Sequence, residues 1–80
     1  MIELQAEYFA AFREQAGCSS EPVRTAAGTV AELYAEIAAK HGFVDSMTRC
    51  KVAINDELVE WESPLAAGDK VLFFPPVAGG

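Results

Sequence analysis

The run Val71-Leu72-Phe73-Phe74-Pro75-Pro76 constrains the fold more than any other stretch of the chain. Four apolar residues in succession, all β-branched or bulky, suit a strand buried on at least one face. The two prolines must end it, because neither has an N–H for a ladder and both hold φ near the polyproline value. The chain therefore leaves a sheet at Pro75, stiff and extended. Beyond Pro76, Val77, Ala78, Gly79 and Gly80 narrow toward two residues without a Cβ. Residues 75–80 thus read as a slender extended tail on a globular domain of residues 1–74.

A free α-carboxyl at Gly80 ordinarily titrates at about 3.3–3.7 and is ionised at neutral pH. It is a poor acyl donor until converted to a mixed anhydride such as an acyl-adenylate, and glycine leaves no bulk to obstruct that step. Two glycines taken alone are more often simply a frayed end.

Upstream, Ile2, Leu4, Ala6 and Tyr8 alternate with Glu3, Gln5, Glu7 and Phe9, the period-2 pattern of a strand with one face on a core. Phe9 falls on the polar face. Ala10 to Ala16 suits a short helix stopped by Gly17, with Arg13 about one turn beyond Phe9, close enough to stand beside its ring. Residues 18–28 are turn-rich, with Val23-Arg24-Thr25-Ala26 as an edge strand. Thr29-Val30-Ala31-Glu32 is a capping box opening a helix that runs to about Lys40. Val30, Leu33, Tyr34, Ile37 and Ala38 form its buried stripe, Glu36 and Lys40 an i,i+4 pair, and His41 and Gly42 its end. Lys51 to Asn55 reads as a third strand, Asn55-Asp56-Glu57 as a turn into the short strand Leu58-Val59-Glu60, and Trp61 as a lid on the core.

That order fits an α+β fold of the ubiquitin-like β-grasp type: a mixed sheet, first and last strands parallel at its centre, and one main helix across one face. Separate hairpins fit the same pattern. In the β-grasp, Val71 and Phe73 face the helix, and Leu72 and Phe74 face outward with Phe9. Several apolar groups on one outward surface mark a partner surface.

Composition narrows the function. Twelve Asp and Glu against six Lys and Arg leave a formal charge of −6, which disfavours nucleic acid and anionic lipid and fits equally a basic partner or an acidity that only keeps a small protein in solution. Apolar residues make up 51%, enough to fill one core without metal or disulfide. Cys18 and Cys50 form no Cys-x-x-Cys unit and have one histidine for company, so a zinc site is disfavoured and thiols are the favoured reading. The start Met1-Ile2-Glu3-Leu4-Gln5 lacks the basic and apolar regions of a secretory signal, and no segment approaches membrane-spanning length. The expectation is a cytoplasmic protein. No paired carboxylates, triad or phosphate loop is present, so catalytic side chains are expected in partners.

The run from Asp69 to Gly80, preceded by Ser63-Pro64-Leu65-Ala66-Ala67-Gly68, resembles the C-terminus of the small subunits of molybdopterin synthase. The resemblance extends more loosely to the first strand with Phe9 and Arg13, and to Val52-Ala53-Ile54-Asn55 with Leu58-Val59. It implies a ubiquitin-like sulfur carrier with no permanently bound cofactor. The terminal glycine is adenylated by an ATP-dependent activating enzyme, an adenylyltransferase related to the ubiquitin activators, and then thiocarboxylated. The thiocarboxylate supplies the dithiolene sulfurs of molybdopterin from a cyclic pyranopterin monophosphate precursor. The implied partners are that enzyme and the large subunit, in a heterotetramer of two small and two large subunits. The implied interface holds Phe9, Arg13, Leu58 and Phe74, to which the outward phase of the last strand adds Leu72. Pro75, Pro76, Val77, Ala78 and Gly79 form the inserted tail, and Gly80 is the reacting residue. A thiamine-pathway sulfur carrier, a protein modifier joined to lysines, and a passive binding module remain as alternatives, the Phe-Phe-Pro-Pro-Val run favouring the first reading.

Overall fold

A computed structural model of the chain describes residues 1–76; the expectations for Val77, Ala78, Gly79 and Gly80 lie outside the described residues. Strand β1 (Ile2–Tyr8) leads through helix α1 (Ala11–Ala16) to β2 (Ser20–Thr25) and helix α2 (Val30–His41). A single 3₁₀ turn, Met47–Arg49, precedes β3 (Lys51–Ile54), β4 (Glu57–Leu58) and β5 (Lys70–Phe74). The sheet order is β2-β1-β5-β3-β4, with β1 and β5 parallel at the centre and the other neighbours antiparallel. This is the expected β-grasp.

The capping box forms as read. Thr29 Oγ1 accepts from the Glu32 N–H, and the Glu32 carboxylate accepts from the Thr29 and Gly28 N–H groups. Gly42 closes α2 in the left-handed conformation that a Cβ would strain. Val30, Leu33, Tyr34 and Ile37 are buried against Leu4, Ala6 and Tyr8 of β1 and Val71 and Phe73 of β5, while Ala38 packs at the margin. Phe12 of α1 is fully buried and stacks on Phe43 at 4.4 Å. Trp61 closes one side, its ring 5.4 Å from Tyr34 and 6.3 Å from Phe73.

Three local expectations change. β2 begins at Ser20 rather than Val23 and includes Pro22, opposite Gln5. An edge strand tolerates a proline because one of its sides needs no N–H, so Pro22 marked an edge and not a turn. The Glu36–Lys40 pair gives way to tertiary partners. Glu36 accepts from the Thr25 hydroxyl at 2.6 Å, and Lys40 donates to Glu21 at 3.0 Å, so both tie α2 to β2. The short strand is Glu57–Leu58, one residue earlier than read, because Asn55 and Asp56 both take positive φ and close a tight two-residue hairpin.

Candidate docking surface at the root of the tail

Strand alternation places the candidate residues. In β5, Val71 and Phe73 are buried against α2, whereas Leu72 and Phe74 between and after them are half-exposed on the opposite face. Leu72 lies opposite Glu7 of β1 and Ala53 of β3, and Ala53 lies opposite Leu58 of β4. One row across the outer face therefore reads Leu58, Ala53, Leu72, Glu7. Leu58 is 71% exposed, while the small Ala53 beneath it is buried without belonging to the main core.

Phe9 continues β1 by one ladder bond, its N–H donating to the Phe73 carbonyl at 3.2 Å. Its ring is 55% exposed and meets Phe74 with centroids 5.5 Å apart. The two phenylalanines and Leu72 are thus brought together where β5 ends and Pro75 and Pro76 begin. Leu58 joins them across Ala53. Arg13 is exposed on α1, but the ring beside Phe9 is that of Phe74; the expected pairing of Phe9 with the Arg13 guanidinium is not seen among the described residues. Exposed Lys51, opposite Phe74, rims the surface. Lys51 also lines a notch of about 320 Å³ with Val52, Leu58, Val59 and Glu60.

The sequence reading missed a polar hub on the other face. Glu21 of β2 accepts from the Tyr8 hydroxyl, from Lys40, and bonds to His41 Nε2, gathering the end of α2 onto the edge strand. Burial alone would push the Glu21 carboxyl up, but the hydrogen bonds from Tyr8, His41 and Lys40 outweigh it and hold the group down at about 2. Burial, then the Glu21 bond and charge, push the Tyr8 phenol far up. His41 is the helix-end residue expected, with a partner that sequence spacing could not supply, twenty positions away. Cys50 is buried and donates to the Ser46 carbonyl, Cys18 is partly exposed, and both are free thiols. Among the described residues no group of His, Cys, Asp and Glu is placed to hold a metal ion, and no helix is long and apolar enough to cross a membrane.

The ThiS family model matches residues 6–80. The chain belongs to the ThiS family. Within it, this member is 36% identical over 76 residues to the molybdopterin synthase sulfur carrier subunit of Escherichia coli strain K12, an alignment covering 91% of this chain and 94% of that protein. It is a homologue of that subunit. A protein of Pyrococcus furiosus described as a candidate molybdopterin converting factor subunit 1 superposes with a TM-score of 0.80 at 31% identity, over 96% of this chain and all of the other. A solved complex of subunits 1 and 2 of the molybdopterin-converting factor from Helicobacter pylori contains a chain that matches with a TM-score of 0.68 at 26% identity. That match covers 99% of this ThiS-family chain and all of the relative.

Proposed function

We propose that this chain is the sulfur carrier small subunit of molybdopterin synthase, with the Gly80 carboxylate as its reacting group. The observation that carries the reading is the position of the Phe9–Phe74 pair. An exposed aromatic anchor stands where the central strand hands over to the Pro75-Pro76 tail. The 36% identity to the Escherichia coli carrier subunit supports the same assignment.

A Gly80 carboxylate oxygen attacks the α-phosphorus of ATP on an activating enzyme, and pyrophosphate leaves. Hydrosulfide-level sulfur then attacks the acyl carbon of the acyl-adenylate, AMP leaves with the C–O bond broken, and the product is a thiocarboxylate that the large subunit directs at the pterin precursor. Seating a six-residue tail costs about 1–2 kcal/mol per residue in backbone order. Pro75 and Pro76 lower that cost by restricting the free state, and a docked patch of Phe9, Leu58, Leu72 and Phe74, with the exposed Arg13 of α1 as a further proposed contact, supplies the rest. The globular face provides affinity and the glycines reach the chemistry.

The test is intact-mass analysis of protein isolated from its own host, together with a Gly80 deletion. Replacement of one C-terminal oxygen by sulfur in the full chain, and its loss on deletion without loss of thermal stability, are expected. An unmodified carboxylate in a host that is actively making molybdopterin, with no binding to the large subunit, would sink the proposal.

A further inference from the structure

Ala10 adopts φ 51° and ψ −122°, a conformation in which an L side chain is strained and glycine is at ease. The Phe12 N–H donates to the Phe9 carbonyl at 3.1 Å, so Phe9 to Phe12 form a turn with Ala10 at its first central position. Those dihedrals are the type II′ values, for which glycine is the usual residue. The other positive-φ residues described are glycines, or Asn55 and Asp56, whose short polar side chains tolerate the region. Ala10 has neither excuse.

The turn is held from both sides. Phe9 is tied to β5 through the Phe73 carbonyl, and Phe12 is locked in the core against Phe43. The backbone would keep its path with glycine at position 10, and the strain would disappear. Yet Ala10 is exposed, so its methyl group gains nothing by burial within the chain. It follows Phe9 directly, at the edge of the surface beside the tail.

We infer that the Ala10 methyl is a contact of the docked complex, extending the Phe9–Phe74 surface onto the start of α1, and that its strain is offset only when a partner covers it. The inference rests on the proposed docking of the large subunit and adds a residue to the patch of Phe9, Leu58, Leu72 and Phe74. Ala10 is a positioning and contact residue, with no role in the chemistry of Gly80.

The experiment compares the full-length wild-type chain with Ala10→Gly and Ala10→Ser, measuring the thermal midpoint of each alone and the Kd of each for the purified large subunit. Relief of strain exceeds the entropy that glycine adds to the unfolded chain, so Ala10→Gly should melt about 2–5 °C higher. Loss of one buried methyl should weaken its Kd about fourfold. Ala10→Ser, which keeps the Cβ, should bind within about twofold of wild type. A more stable glycine variant that binds as well as wild type overturns the inference, since a merely structural residue would move the melting point alone. A glycine variant no more stable than wild type overturns it too, because the strain would be absent. Failure of the wild-type chain itself to bind the large subunit defeats the proposed function, and this inference with it.

Discussion

Replacing Phe73 and Phe74 by alanine, one at a time, separates the two faces of β5. Phe73 is fully buried at the centre of the sheet, with ring centroids of Tyr34, Trp61 and Tyr8 at 5.7, 6.3 and 6.4 Å. Truncating such a phenylalanine costs about 3–5 kcal/mol in lost transfer energy and cavity. A domain of this size has about 4–12 kcal/mol in total. Phe73→Ala should therefore lower the melting temperature by more than about 12 °C, or leave the chain unfolded at room temperature. Phe73→Leu, which keeps most of the volume, should lose less than about 1.5 kcal/mol and confirms the site if the alanine variant cannot be purified.

Phe74, the next residue, should behave in the opposite way. It is half-buried, and its aromatic neighbour is the exposed Phe9, a pair worth about 0.5–1.5 kcal/mol beyond its contact area. Phe74→Ala should cost about 1 kcal/mol of stability but weaken large-subunit binding by about 2 kcal/mol, close to thirtyfold in Kd. Urea unfolding followed by far-ultraviolet circular dichroism gives the first quantity and titration calorimetry the second. A Phe74→Ala chain less stable than Phe73→Ala would show that the strand phase is off by one residue. Unchanged binding by a folded Phe74→Ala chain would remove the outer face from the docking reaction.

Glu21 has a folded-state pKa of about 2, below its ordinary 4.5, so its contribution is present above about 4.5 and is lost as pH falls toward 2. Urea midpoints measured across that window should fall more steeply for wild type than for Glu21→Gln; parallel profiles would refute the hub. Burial pushes the Cys50 thiol up, and it lies beneath the surface, so native-state alkylation should label Cys18 first and Cys50 only on unfolding; equal rates would contradict the packing around Ser46. Finally, mixing thiocarboxylated protein, the large subunit and the pterin precursor should return Gly80 to a carboxylate with dithiolene formed and few lysine conjugates. Abundant isopeptide links in host extracts, with no dithiolene from the purified system, would replace the carrier with a protein modifier.

Much of this fold was legible because its signals are local. The capping box, the alternation of β1 and the proline stop after Phe74 each act within a few residues, and each appears in the structure as read. The phase of β5 was decisive, since it fixed which phenylalanine enters the core. What was not legible depends on partners far apart in the chain. Glu36 and Lys40 have the spacing of a helical pair, but Thr25 and Glu21 lie within reach once β2 crosses beside α2, and the tertiary bonds take over. Pro22 carries a turn signal until the sheet order shows that β2 is an edge. The strain at Ala10 had no sequence signal, because alanine suits the interior of the helix in which Ala10 was read, whereas it stands one residue before α1 as its cap, in dihedrals that only the structure gives.

The parallel pairing of β1 and β5 explains why docking surface and tail occur at one place. Parallel neighbours end on the same side of a sheet, so Phe9, just past the end of β1, and Phe74, the last residue of β5, emerge together. Had these strands been antiparallel, the residue following β1 would have lain at the far end of the molecule from Pro75. A chain of six residues reaches at most about 20 Å. On the proposed function, the large subunit's reaction site therefore lies within that distance of the groove that accepts the Phe9–Phe74 pair.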